Sequence, residues 1–184
     1  MQWLRDQLGF YKNVAETEAL IKGTRDTNGV YIVPAFTGLG APFWDSGARG
    51  LICGLTRGAS RAHIVRAALE SIAYQTRDVA DVMRQDLHGG LKTLKVDGGA
   101  CRNNFLMQFQ ADMLGCSIVR PKVIDSTVFG TALLAGVTIG LWPSKKSLQL
   151  QQRPDKTFHP RMPKSTVNEK YSGWQQAVRK AQSS

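Results

Sequence analysis

Leu94-Lys95-Val96-Asp97-Gly98-Gly99-Ala100-Cys101-Arg102-Asn103-Asn104-Phe105 reads as a short apolar strand, a Gly-Gly turn and the opening of a helix. Adjacent glycines remove side chains where backbone approaches something closely, or where φ must be positive. The Asn pair falls where a helix begins, and the free N–H groups of a helix start favour an anion. The junction therefore has two readings, a phosphate or nucleotide cradle and a plain tight turn. The flanking segments have to choose between them.

Downstream, the spacing of Phe105, Leu106, Phe109 and Met113 predicts a helix from Asn103 to Leu114, with Gly115 in the C-terminal cap position. A strand at Ser117-Ile118-Val119-Arg120 follows, stopped by Pro121. Ser126 and Thr127 offer caps for a Gly/Ala-rich helix from Gly130 to Gly140, whose small residues allow a neighbour to come close. Upstream, the strand before the turn spans Leu91 to Val96, and Asp86 to Gly90 reads as a turn. The longest predicted helix, Arg61 to Arg84 with Ser60 as its cap, carries Val65, Leu69, Ile72, Thr76, Val79 and Met83 as a core face. Glu70, Gln75, Arg77 and Asp78 punctuate the rest. The alternation of strand and helix implies an α/β sheet covered by helices, with right-handed crossovers.

Nearer the start, Met1 to Phe10 has Leu4 and Leu8, and Trp3 and Phe10, near one helical face. This helix has no cap or preceding turn, which suggests a sequence cut from something longer. Val14 to Lys22 predicts a second helix, acidic first and basic last, as the helix dipole favours. Gly29 to Phe36 is β-branched and aromatic, a strand interrupted at Pro34, and Gly50 to Leu55 is a further short apolar run. Between them, Thr37 to Asp45 is a Gly/Pro-rich loop unusually apolar for a surface. It either lines a cleft or tucks against its own core. Ser144 to Lys164 is polar, holds three prolines and reads as a surface-running extension. The end, about Thr166 to Ala181, is helical with a stripe of Tyr171, Trp174 and Val178. Residues 1–142 thus form the predicted core, and 143–184 an extension and terminal helix packed on the same domain.

The chain has 184 residues, 42% hydrophobic, enough for one well-buried domain. Its longest apolar run, Thr131 to Ile139, is interrupted by Gly136 and Thr138 and falls short of a membrane span. The N-terminus lacks a signal-peptide layout. Cys53, Cys101 and Cys116 are odd in number and lack ligand spacing, which argues against a disulfide framework or zinc site and for a reducing, cytoplasmic location. The net charge of +10 is dispersed, without a basic block or interleaved aromatics, so a solvated basic surface fits better than nucleic-acid binding. That charge is compatible with attraction for a phosphorylated ligand.

Self-contained catalysis is hard to find. His63, His88 and His159 are scattered, and no Walker-type or His-Glu-x-x-His motif is present. Asp97 is the one carboxylate beside the Gly-Gly pair; it either holds the turn or acts on a metal or water. Cys101 sits near a helix start, where a thiol pKa can fall, but has no base nearby and reads as inert.

Gly50-Leu51-Ile52-Cys53-Gly54-Leu55, seven residues, then His63-Ile64-Val65-Arg66-Ala67-Ala68-Leu69-Glu70, resemble the second signature of the FGGY carbohydrate kinases. Asn28 to Trp44, Glu70 to Asp78, and Val96 to Ala100 continued by Asn103 to Gln108 resemble the glycerol kinase branch of that family. The resemblance runs from Gln2 to about Ala181 and matches only the second half of such a kinase. It implies an actin-like ATPase (ribonuclease-H-like) domain of α/β class, a mixed sheet flanked by helices. It further implies ATP or ADP with Mg2+ as cofactors, and glycerol reached through a first domain outside this chain. By that resemblance Gln2, Gly98, Gly99, Ala100 and Asn103 are nucleotide-binding: Gly99 by backbone approach, Asn103 from the helix start. Ser126 to Ala132 resembles the segment behind the adenine, with Phe129 where a smaller aliphatic is common. No catalytic and no metal-binding residue is assigned within the chain, because the family's catalytic Asp, glycerol-binding groups and phosphate loops fall outside it. The chain alone is therefore expected to be inactive. Two alternatives remain: another FGGY sugar kinase, which the Thr37 to Trp44 loop speaks against, and a stand-alone nucleotide-binding or interaction module. Homo-oligomerisation stays open, with a hydrophobic patch expected around Phe43 and Trp44.

Overall fold

Six helices and five strands are built from the residues described by the computed structural model, 1–86, 90–142 and 153–183. In order they are α1 (Gln2–Asp6), α2 (Glu16–Ile21), β1 (Tyr31–Val33), β2 (Leu51–Cys53), α3 (Arg61–Asp86), β3 (Thr93–Lys95), α4 (Asn104–Leu114), β4 (Ser117–Pro121), α5 (Ser126–Thr138), β5 (Pro154–Phe158) and α6 (Lys164–Ala181). Two small sheets result. In one, β1 and β2 pair antiparallel, with Tyr31 opposite Cys53. In the other, β3 and β4 run parallel, as a crossover through α4 requires, and β5 returns antiparallel on the far side of β4. The second sheet is thus mixed.

α3 is the spine. Its first half buries Val65 and Leu69 with Leu4, Ile21 and Val30, and Ala73 and Tyr74 then join Phe109, Met113 and Trp174. Phe105, at the start of α4, packs against both groups. The predicted apolar face of α3 does not run its full length, since Val79 and Met83 are exposed. Two residues read as polar punctuation are interior instead. Glu70, 1% exposed, accepts from Arg66 Nε at 2.9 Å and from the Tyr74 hydroxyl at 3.2 Å, and Lys170 Nζ of α6 lies 3.9 Å away. Asp78 accepts from the Tyr171 hydroxyl at 2.6 Å and from Trp174 Nε1 at 2.8 Å. Burying a carboxylate is costly unless donors surround it; α3 itself supplies those of Glu70, and α6 brings those of Asp78.

Several boundaries shift for local reasons. α1 stops at Asp6 because Gly9 turns the chain at φ +62°, so only Leu4 of its predicted face is buried and Trp3 tilts against Phe36 instead. At the head of α3, His63 Nδ1 accepts the Ser60 N–H at 3.0 Å, so the third residue of the helix reaches back to cap it. The cap of α5 is Asp125, which accepts the Val128 N–H at 3.2 Å, and the helix starts at Ser126 rather than Gly130. Gly115 closes α4 in the left-handed conformation expected of it.

The largest correction is β5. Pro154–Phe158 reads as part of a surface-running extension, yet it pairs Ile118 with Phe158 and Arg120 with Lys156. Only Phe158 points inward, so the strand has no apolar alternation to reveal it. Asp112 of α4 holds the following bend, its Oδ1 accepting the N–H groups of Arg161 and Met162 at 2.6 and 3.1 Å. The predicted turn at Asp86 to Gly90 and the start of the polar extension fall largely outside the described residues. The apolar loop divides: Leu39 is buried and Phe43 packs on the core, while Trp44 is 79% exposed.

α6 crosses β1 so closely that a Cβ on Gly173 would overlap the Tyr31 ring. Ala in place of a mid-helix Gly normally gains about 1 kcal/mol. Here the collision dominates, since overpacking costs about 1–3 kcal/mol. Gly173→Ala is expected to lower the urea midpoint of unfolding. A raised midpoint would show that Tyr31 moves aside freely.

Candidate functional site

The Gly-Gly turn sits at the carboxyl ends of β3 and β4, where parallel sheets commonly hold ligands. Gly98 has φ +76° and ψ 175°, a conformation essentially closed to L-residues, which is the local reason for glycine there. A single 3-10 turn follows, Gly99–Arg102, and Asn103 then caps α4 by accepting the Leu106 N–H at 2.8 Å. Gly98 itself is anchored, donating its N–H to Ile124 O at 2.7 Å.

The start of α4 is not the open anion cradle the generic argument anticipates. Glu18 of α2 places its own carboxylate there, accepting the Asn104 N–H at 3.2 Å and Asn104 Nδ2 at 3.3 Å. Asn103 Nδ2 donates to the buried Thr17 at 3.2 Å. The open donors lie earlier. Among the described residues the Gly99 and Ala100 amides have no acceptor, and Asp97 to Ala100 are all exposed. A Cβ built on Gly99 would meet nothing within 4 Å, so the space above it is free. Gly98, Gly99, Ala100 and Asn103 are therefore brought together in one turn. Gln2 lies in α1, exposed, and no hydrogen bond among the described residues connects it to that turn.

A cavity of about 560 Å³ opens beside the turn, its wall including Lys95, Asp97, Ser126, Phe129 and Arg153. Phe129, the bulky departure in its segment, is half-buried on that wall. Asp97 accepts a close hydrogen bond from Ser126, which ties the end of β3 to the start of α5. Among the described residues no backbone N–H of the turn donates to the Asp97 carboxylate, so its partner is the α5 hydroxyl alone. Cys101 is buried, donating to Gly98 O at 2.9 Å, and burial pushes its thiol pKa up, as suits an inert thiol.

Three residues that the sequence did not single out support the turn. Thr17 and Glu18 come from 86 residues upstream. Arg120 of β4 reaches across to donate through Nη1 to Cys101 O at 3.0 Å, Arg102 O at 3.2 Å and Asn104 Oδ1 at 3.3 Å. No spacing rule could have joined them to the glycines. Among the described residues no group of three His, Cys, Asp or Glu side chains could hold a metal ion, and no helix is long and apolar enough to cross a membrane.

The sheet, the flanking helices and the turn at the strand ends are those of a carbohydrate kinase half. Residues 1–139 match the FGGY family of carbohydrate kinases, C-terminal domain, and the chain belongs to that family. It is 53% identical over 181 residues to a glycerol kinase of Caldanaerobacter subterraneus subsp. tengcongensis, covering 98% of this chain and 36% of that protein. A Shewanella glycerol kinase is 52% identical over 183 residues, 37% of its length. Among solved structures, Plasmodium falciparum glycerol kinase with ADP superposes with a TM-score of 0.86 at 37% identity, covering 98% of this chain and 36% of that one. A xylulose kinase from Lactobacillus acidophilus has a TM-score of 0.80 at 23% identity, a likeness of fold alone. The chain thus spans about a third of the length of these relatives. The fold is the actin-like ATPase fold of α/β class.

Proposed function

We propose that this chain is the nucleotide-holding part of a glycerol kinase, which transfers a phosphoryl group from ATP to glycerol. The observation that carries this is the 53% identity to a glycerol kinase over 181 residues, 98% of the chain. The relative solved with ADP adds that a protein of this fold and branch holds an adenine nucleotide. The likenesses to xylulose and gluconate kinases, at 23% and 22% identity, give another sugar kinase less support.

The open amides of Gly99 and Ala100 suit a phosphate group, and the free space above Gly99 lets backbone come within hydrogen-bond reach of it. Lys95 and Arg153 on the cavity wall favour negative charge nearby. Gly98 supplies the bend, and Asn103 sets the start of α4 against the same turn. Gln2 is assigned to the nucleotide by family resemblance alone. When bound, Mg2+ would neutralise charge on the phosphates, and it would arrive with the nucleotide. The chain's own residues bind and orient. Phosphoryl transfer rests on positioning and charge neutralisation, which requires both walls of a cleft. The glycerol-binding groups and the base acting on its hydroxyl belong to the other wall, so this chain alone should not turn over. The cytoplasm is the location that the glycerol kinase reading implies.

The test is a chimera. The Caldanaerobacter glycerol kinase keeps the part outside the matched 36% and takes this chain in place of the rest. ADP release dependent on glycerol is expected from the chimera and absent from the 184-residue chain. A folded but inert chimera would sink the assignment, and turnover by the chain alone would sink the division of labour.

A further inference from the structure

We infer that Arg120 is a positioning residue for the nucleotide turn, holding it from behind through the carbonyls at its far end. The inference rests on the reading of Gly98 to Ala100 as nucleotide-touching. Arg120 is in mid-sheet on β4, its side chain only 12% exposed. Its Nη1 donates to three acceptors: the carbonyls of Cys101 and Arg102, which end the 3-10 turn, and the side chain of Asn104, which begins α4. Its Nε and Nη2 both donate to Asp155 Oδ2, at 2.8 and 2.7 Å. The guanidinium carbon lies 5.5 Å from the centre of the Phe158 ring.

A guanidinium suits this task because its planar fork can serve several acceptors at once in fixed directions, which an ammonium cannot. Both backbone carbonyls belong to a turn of four residues, so fixing them leaves little freedom for the amides at its other end. Asn104, gripped by Arg120, is itself gripped by Glu18. A continuous polar relay, Asp155–Arg120–Asn104–Glu18, therefore runs from β5 through β4 and α4 to α2, behind the exposed amides of Gly99 and Ala100. Within the turn only Cys101 is buried. Its geometry depends on this relay and on the anchors at Gly98 and Asp97. The strand β5, which reads from sequence as a peripheral extension, thus contributes Asp155 to the support of the binding turn.

The experiment titrates the 184-residue chain with ADP by calorimetry, beside Arg120→Met, Arg120→Lys and Asp155→Asn, with thermal unfolding of each measured in the absence of ligand. Arg120→Met is expected to weaken ADP about tenfold or more at a temperature where it is fully folded. Arg120→Lys should recover only part of that loss. Asp155→Asn frees the guanidinium without removing it, and should weaken ADP by a few-fold at an unchanged unfolding midpoint, which a merely structural contact would not do. If the parent binds and Asp155→Asn and Arg120→Met bind equally well, Arg120 does not position the turn, whereas the nucleotide reading stands. If the parent binds no ADP, and Gly99→Val behaves like it, the nucleotide reading fails and this inference falls with it. Should Arg120→Met not fold, Asp155→Asn, altered at a half-exposed carboxylate, decides alone.

Discussion

Trp174→Ala is expected to destabilise the chain by about 3–5 kcal/mol, a large share of the 5–15 kcal/mol that holds a typical domain together. Trp174 is 0% exposed, stacked on Tyr74 at 5.4 Å between ring centres, and it donates to Asp78. Truncation removes the largest fully buried side chain among the described residues, leaves a cavity, and takes one of two donors from a buried carboxylate. Trp174→Phe separates these effects. It keeps most of the ring but not the N–H, and should cost about 1–3 kcal/mol for the deprived acceptor. Equilibrium denaturation in urea measures both. A cost under about 1 kcal/mol for Trp174→Ala would mean that α6 adds little to the fold.

The same contact has a definite response to acid. Burial, first, raises the Asp78 pKa above the ordinary carboxylate value, against the hydrogen bonds from Tyr171 and Trp174. A raised carboxylate pKa means that the folded form favours the proton. Its stabilising contribution is complete below the unfolded pKa and is lost as pH rises through the folded one. Mild acidification therefore does not release α6 at this point.

These interior groups mark where the sequence stops being legible. The glycines, the Asn pair and the Gly115 cap declare the strand–turn–helix unit, because φ and capping are local matters. The spine helix declares its existence by period, but not its depth. Glu70 and Asp78 read as polar punctuation until α6 is laid against the helix, bringing donors to Asp78 at Tyr171 and Trp174 and Lys170 near Glu70. β5 is invisible for the opposite reason: four of its five residues are exposed, and only pairing with β4 makes Pro154–Phe158 a strand. At the site, the turn itself is readable, whereas Glu18, Arg120 and Asp155 are brought to it by topology. The generic expectation of an anion at the start of α4 is met by the protein's own Glu18. The open amides lie one turn earlier, at Gly99 and Ala100.

That displacement makes Gly99 the sharpest test of the nucleotide reading. Gly99→Val should abolish detectable ADP binding, a loss of about 100-fold or more, while leaving the unfolding free energy within about 0.5 kcal/mol of the parent. Its backbone is outside the left-handed region, and a Cβ there meets nothing within 4 Å, so the protein itself has no objection to a side chain. Any penalty must come from what is bound above the turn. Gly98→Ala provides the contrast, because φ +76° is strained for any L-residue and costs about 1–3 kcal/mol whether or not ligand is present. Gly98→Ala should therefore lose stability and affinity together, and Gly99→Val affinity alone. Parent-like ADP binding by Gly99→Val would show that no nucleotide passes over Gly99, and would leave the glycine pair as a tight turn.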